Sequence, residues 1–214
     1  MNSKSILLIF LIHLLYVTQG QAGNHRYADV QIKLLSGEIK EGKLQFPILS
    51  EHTRIVFKKN EDAEKETIKA DEIDYLIITT SKENSFLLKR TQTYNPKKKL
   101  SKGKNWLFLK INCKNFNSFL LVEGFDINSV GDFFAFYLDN MGMYLIQQST
   151  EDFPTEVGIV FLGKVITQGS FDKQRKKFLL KYYEKDPEAL AFINSKKKVK
   201  QEELVEYLES KCEK

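Results

Sequence analysis

ADVQIKLL, residues 28–35, decides the fold class, because apolar and polar side chains alternate along it. Ala28, Val30, Ile32 and Leu34 occupy every second position, and polar residues stand between them. Successive side chains of a β-strand point to opposite faces of a sheet, so a period of two places these four side chains on one face. The stretch therefore predicts a half-buried β-strand.

The alternating pattern continues through much of the chain. A second strand is expected at 38–46, where Gly42 interrupts the alternation as a bulge glycine would. Further strands are expected at residues 53–58, 66–70, 75–80 and 85–90. Short strands at this spacing predict a small barrel or a curled antiparallel sheet.

A second, more aromatic β block follows residues 91–104, which are polar and basic. That interval predicts either a loop between two β layers or a boundary between two domains. We expect strands at 104–113 and 116–123 to pair, and strands at 133–138 and 143–148 to form a hairpin. A last strand is expected at 157–167.

After Gly169 the apolar period becomes helical. Asp186-Pro187-Glu188 combines a capping carboxylate, a proline at the first helical position and an acid in the first turn, which together indicate a helix start. A first helix is expected before this point, and a last one from about residue 201 to 211. The sequence thus predicts an α+β protein, with a β-rich body at 23–166 and a three-helix tail at 167–214.

The N-terminus has the pattern of an export signal. Lys4 precedes the unbroken apolar stretch ILLIFLIHLLYV (6–17), and Gly20 and Ala22 offer cleavage points. At 1.5 Å per residue such a helix spans roughly 18 Å, well short of the ~30 Å needed to cross a bilayer. We therefore expect residues 1–22 to be a signal peptide, and the mature chain to be periplasmic or secreted without a transmembrane segment.

Five features of the chain occur together. They are the N-terminal apolar stretch, GDFFAFYLDNMGMYLIQQ (131–148), the Asp186-Pro187 helix start, the basic spacer 196–200 and the acidic helix 202–209. In this combination the chain, mainly over its last hundred residues, resembles an uncharacterised family of exported bacterial proteins. The resemblance implies the same architecture and compartment. That family has no assigned activity, so it implies no site residues.

Motifs for catalysis or cofactor binding are absent from the sequence. It contains no GxxxxGK[ST], GxGxxG, HExxH, GxSxG or CxxC. His25 lies beside the expected cleavage site and His52 in a turn, and neither has a neighbouring residue pattern that indicates a base or a metal ligand. We assign no catalytic residue, metal site or cofactor.

Paired carboxylates need no motif, so they leave a hydrolase of envelope glycans or peptides as the alternative function. Asp71, Glu72 and Asp74 form the tightest acidic cluster outside the turn at 60–66. An exposed face between two strands explains this cluster equally well.

Two lysine clusters are the candidate binding residues. They are Lys97, Lys98, Lys99, Lys102 and Lys104 in one loop, and Lys196, Lys197, Lys198 and Lys200 in another. Dense lysines raise the local electrostatic potential although the net charge is only +5, so an anionic envelope lipid or glycan is the expected partner, with an envelope protein as another candidate. Nucleic acid is not expected outside the cytoplasm. Solvated loops that keep the protein soluble remain the alternative explanation.

Cys113 and Cys212 are the two cysteines, and both lie on apolar faces of their expected elements. An oxidising compartment allows them to pair. Two separate buried thiols fit equally well, because a free cysteine behaves as a small apolar side chain. The leading function is a non-enzymatic binding or structural module of the cell envelope.

Overall fold

The computed structural model describes residues 26–80, 82–95, 97, 99–136, 141–161, 164–165 and 169–212. The predicted signal peptide, His25 and Lys98 lie outside these residues. Within them the fold is α+β, as predicted, with antiparallel sheets followed by helices.

Strands make up most of residues 26–165. They are β1 (Arg26–Leu34), β2 (Ile39–Phe46), β3 (Ile48–Leu49), β4 (Arg54–Lys58), β5 (Glu66–Lys69), β6 (Ile73–Thr79), β7 (Ser85–Thr91), β8 (Asn105–Asn112), β9 (Phe116–Leu121), β10 (Gly124–Ile127), β11 (Phe133–Phe136), β12 (Met141–Gln148), β13 (Thr155–Phe161) and β14 (Lys164–Val165). A single 3₁₀ turn, Ala70–Glu72, joins β5 to β6.

The larger sheet has eleven strands in the order β14-β13-β12-β9-β8-β7-β6-β1-β2-β4-β5, and β11-β10-β3 form a smaller one. Ala28, Val30 and Ile32 are 8%, 4% and 0% exposed, so the alternation predicted from residues 28–35 does place one face of β1 in the core. Gly42 lies where an added Cβ would be 2.2 Å from the Lys58 carbonyl oxygen, so a side chain there would force β2 and β4 apart.

The larger sheet curls between β7 and β13. Tyr94 donates its backbone N–H to the Pro154 carbonyl (2.8 Å), and the Glu156 N–H donates to the Tyr94 carbonyl (2.8 Å). Tyr94 lies three residues after β7, a reach of at most about 11 Å. Four strand spacings of a flat sheet would separate β7 from β13 by roughly 19 Å. The sheet must therefore bend round, which agrees with the predicted curled sheet.

The strand pairings agree with the sequence-based prediction in one case and differ from it in another. β8 and β9 do pair, as predicted. The predicted hairpin of 133–138 with 143–148 is wrong, because β11 pairs with β10 whereas β12 pairs with β9 and β13. Alternation shows which face of a strand is buried but not which strand lies beside it. At 91–104, β7 and β8 pair directly on either side of the loop, so the sheet continues across it.

The tail contains α1 (Gly169–Tyr182), α2 (Pro187–Ser195) and α3 (Gln201–Ser210). Asp186 caps α2 as predicted, since its Oδ1 accepts the Ala189 N–H at 3.0 Å. Leu179, Ile193, Leu204 and Leu208 are each at most 3% exposed and belong to the same apolar core as the sheet residues. Among the helices of the described residues, none is both long and apolar enough to span a membrane.

Candidate functional site

Lys97 and Lys99 of the first lysine cluster lie on a short hairpin, residues 92–101, which we call the lysine hairpin, and Lys102 and Lys104 follow it. The strands of the hairpin meet at a bridge between Tyr94 and Leu100. The Asn95 side chain holds the turn, because its Oδ1 accepts the N–H groups of Lys97 (2.9 Å) and Lys99 (3.0 Å). The Asn95 N–H in turn donates to the Lys99 carbonyl at 3.0 Å. Asparagine commonly fixes a turn in this way.

The base of the lysine hairpin is fixed by Ser101. Its hydroxyl oxygen accepts the Thr93 N–H at 3.0 Å, and its carbonyl accepts the Gln92 side-chain amide at 2.8 Å. Thr93 is 2% exposed. The hairpin is therefore held by backbone, amide and hydroxyl groups, and its shape does not depend on lysine side chains.

The lysines of this cluster divide into two groups. Lys97, Lys99 and Lys102 are exposed, and no carboxylate in the described part of the chain forms an ion pair with them. Lys104 differs, because its Nζ lies 3.2 Å from Asp71 Oδ1. Three of the described lysines are thus available to an external anion.

The second lysine cluster joins α2 to α3. Buried Val199 anchors this loop, while Lys197, Lys198 and Lys200 are exposed. Lys196 is partly engaged, because its Nζ lies 3.2 Å from Glu203 Oε1 and 5.8 Å from the centre of the Phe192 ring.

The two clusters pack on different parts of the molecule. The lysine hairpin lies against the start of β13, whereas the second loop contacts α1, where Lys176 donates to the Lys196 carbonyl, and α3 through Glu203. Over the ranges that the structure covers, no hydrogen bond or ion pair joins them. A single cationic surface made of both clusters stays a prediction.

His52 has a structural role. Its Nδ1 accepts the Leu49 N–H at 3.2 Å, and its carbonyl accepts the indole N–H of Trp106 at 3.1 Å. Trp106 is fully buried. The imidazole thus holds a turn over the core.

Two members of the acidic cluster, Asp71 and Glu72, are engaged in surface ion pairs. Asp71 binds Arg90 and Lys104, and Lys69 lies 3.7 Å from Glu72. The hydrogen bond from Lys104, with the charge of Arg90, holds the pKa of Asp71 below its usual value. A carboxylate stabilised in its charged form is a poor general acid, so Asp71 fits the exposed-face explanation better than catalysis.

Cys113 and Cys212 form a disulfide, with a Cα–Cα distance of 5.3 Å and a sequence separation of 99. The sequence left this pairing open. Beside it, the Asn115 amide donates to the Lys211 carbonyl at 3.3 Å. The disulfide therefore ties the end of α3 to the turn between β8 and β9.

A cavity of about 460 Å³ lies next to the disulfide, between the tail and the sheet. We call it the tail cavity. Its lining residues are Asn115, Phe116, Gln148, Tyr182, Tyr183, Lys185, Asp186, Glu188, Tyr207, Leu208 and Lys211.

The two acids of the tail cavity are already engaged. Asp186 caps α2, and Glu188 forms an ion pair with Lys211 at 2.5 Å. The Lys211 hydrogen bond lowers the pKa of Glu188. A glycosidase needs one carboxyl group that stays protonated, and the lowered pKa of Glu188 disfavours that form.

Two tyrosines of the cavity have strongly shifted pKa values. Burial raises the pKa of Tyr182 and of Tyr183, and the Tyr182 hydroxyl also donates to Glu151. Both phenols therefore remain neutral donors over any physiological pH. No sequence pattern marked this cavity, because its residues come from four separate segments that only the fold brings together.

Within the residues covered by the structure, no group of three or more metal-binding side chains converges. Comparison with protein-family models, with curated proteins and with solved structures finds no match to this chain.

Proposed function

We propose that this chain is exported to the bacterial cell envelope and acts there as a non-enzymatic binding module, whose lysine hairpin contacts the anionic groups of envelope lipid or glycan. The observation that supports this proposal is the way the hairpin is held. Asn95 and Ser101 fix its shape. Within the described residues, the ammonium groups of Lys97 and Lys99, and that of Lys102 directly after the hairpin, form no ion pair. A preformed cationic loop loses little conformational freedom when it binds.

Vesicle co-sedimentation tests the binding. Protein is mixed with vesicles of phosphatidylglycerol and phosphatidylcholine, with vesicles of phosphatidylcholine alone, and with polygalacturonate. We expect binding to the anionic materials at 0.01 M salt and steep weakening at 0.15 M, because the Debye length falls from about 30 Å to about 8 Å. Binding to neutral vesicles, or binding that salt does not change, would contradict the proposal.

A pair of charge-matched variants locates the surface. Lys97→Gln with Lys99→Gln should weaken binding roughly tenfold or more, since each surface lysine near an anionic membrane contributes about 1 kcal/mol. Lys59→Gln with Lys65→Gln removes the same charge from the exposed turn after β4 and should have a much smaller effect. Equal losses in both variants would assign the binding to net charge instead of the hairpin.

Export has its own test. The mass of the intact protein recovered from the envelope or medium should correspond to the loss of 20 or 22 residues. A full-length product confined to the cytoplasm would refute this part of the proposal.

A further inference from the structure

The tail cavity has the size of a small-molecule site. Its volume of about 460 Å³ falls within the range of roughly 300–1,000 Å³ that such sites occupy. Asn115, Phe116 and Gln148 line it from the sheet side, and residues of the tail line the rest. A ligand here would touch both parts of the fold.

Aromatic rings on the tail side are held in fixed orientations. Tyr182 stacks on Phe178 with ring centres 5.6 Å apart, and Tyr207 stacks on Phe192 at 4.3 Å. The Tyr182 ring also meets the Tyr183 ring edge to face, with centres 4.9 Å apart, and both Tyr182 and Tyr207 line the cavity. Orientation by the Phe192 ring lowers the entropy cost of stacking a ligand against Tyr207.

The polar side chains that line the cavity include two without a hydrogen-bond or ion-pair partner among the described residues. Across the described ranges, the Gln148 side-chain amide and the Lys185 ammonium make no hydrogen bond or ion pair. An amide offers two donors and an acceptor, and an ammonium offers three donors. These groups suit a ligand with several hydroxyl groups.

Charge in the cavity is balanced, because Lys185 and Lys211 match Asp186 and Glu188. A balanced lining gives no preference for an anion or a cation. A purely apolar ligand would leave Gln148 and Lys185 desolvated without partners, which costs free energy.

We propose that the tail cavity binds a neutral saccharide. The C–H face of a sugar ring packs on Tyr207, and its hydroxyl groups bond to Gln148 and Lys185. This site is separate from the lysine hairpin, so the proposal does not rest on anionic binding there.

The disulfide fixes one wall of this site. Asn115 lies two residues after Cys113, Lys211 directly precedes Cys212, and both line the cavity. Reduction releases the end of α3 from the sheet. Saccharide binding should therefore weaken when the disulfide is reduced.

The test is saturation-transfer NMR and calorimetry on the oxidised full chain. The probes are neutral hexoses, pentoses and N-acetylhexosamines with their disaccharides, and the comparison ligands are inorganic phosphate, galacturonate and a neutral tripeptide. We expect saturable binding of at least one neutral saccharide, with little binding of the comparison ligands. No binding of any saccharide at concentrations up to about 10 mM, or a preference for an anion or the peptide, overturns the proposal.

Variants place the binding in the cavity. Gln148→Ala and Lys185→Ala should each weaken saccharide binding about threefold to tenfold, the usual effect of losing one hydrogen bond. Lys181→Ala is the matched control, since Lys181 is exposed on the same segment and does not line the cavity. Because Lys185 is exposed, its loss should leave the thermal midpoint unchanged. Unaltered affinity in the Gln148→Ala/Lys185→Ala double variant would overturn the assignment.

Discussion

The β-rich body and the helical tail share one apolar core, but different interactions hold each of them in place. Most strands of the body are hydrogen-bonded to a strand on each side, some of them distant in sequence, so the stability of the body is spread over many ladder bonds. The helices satisfy their backbone groups internally and are joined to the sheet by a few buried side chains, the Asn115–Lys211 bond and one disulfide. Damage to the body should therefore act globally, whereas damage to the attachment of the tail should act locally.

The disulfide gives the largest expected effect. Replacing Cys113 and Cys212 by Ala removes a crosslink that closes a loop of about 100 residues, which in the chain-entropy model lowers the free energy of unfolding by up to about 4–5 kcal/mol. Denaturant unfolding measures the loss. Amide exchange should show that α1, α2 and α3 lose more protection than β1 and β6. Equal loss in both regions would mean that body and tail unfold as one unit.

The second-largest expected effect is a loss of free energy of unfolding at alkaline pH, caused by buried tyrosines. Burial raises the pKa of Tyr144 from 10.0 to about 12, so the folded state resists the ionisation that the unfolded state undergoes. Its contribution is fully present below pH 10 and is lost as the pH rises toward 12, by about 2–3 kcal/mol. Unfolding followed against pH should show this decline.

Phenylalanine variants assign the alkaline effect to the two regions. Tyr144 lies on the sheet and Tyr183 in the tail, and neither hydroxyl has a hydrogen-bond partner among the described residues. Tyr144→Phe and Tyr183→Phe should each raise the pH of half-unfolding with little cost at neutral pH. If only Tyr183→Phe acts, alkaline unfolding begins in the tail.

The cap of α2 gives a smaller effect that should stay in the tail. Asp186→Ala removes the acceptor of the Ala189 N–H and should lower the free energy of unfolding by about 1 kcal/mol. Glu184→Ala, at an exposed position two residues earlier, is the control. Amide exchange in α2 should rise in the first variant only, and a matching rise in β1 would contradict local attachment of the tail.

The ion pair of Asp71 gives the smallest effect, and it belongs to the body. Because Lys104 and Arg90 lower the pKa of Asp71, their stabilisation is present above the unfolded value of 3.8 and is lost as the pH falls through the lower folded value. Asp71 is exposed, so Asp71→Asn should cost only a few tenths of a kcal/mol at pH 7. Urea midpoints should show this difference shrinking in acid, and a constant difference would refute the electrostatic cause.

Local patterns predicted those parts of the fold that depend on neighbouring residues. The period of two in β1 and the Asp186-Pro187 signal both describe contacts within a few positions, and both agree with the structure. The pairing of β11 was mispredicted because strand neighbours depend on long-range packing. β10 was not predicted, because all four of its residues are buried and so do not alternate.

The candidate sites also differ in how far the sequence predicts them. The lysine loops are contiguous in sequence and could be named, whereas the engagement of Lys104 by Asp71 depends on the fold. The tail cavity draws Asn115, Gln148, Tyr182 and Tyr207 from four segments. Spacing along the chain carries no information about such an assembly.

The contact of Tyr94 with β13 also bears on aggregation. An uncovered sheet edge offers N–H and C=O groups to which a strand of another molecule can add. Tyr94 occupies this edge of β13 beside Thr155, and β14 occupies it at Val160 and Phe161. The opposite edge, β5, has four residues and carries the charges of Glu66 and Lys69. This edge of β13 and the β5 margin are thereby made poor templates for edge-to-edge growth into fibres, and removal of the lysine hairpin would expose the part of β13 beside Thr155.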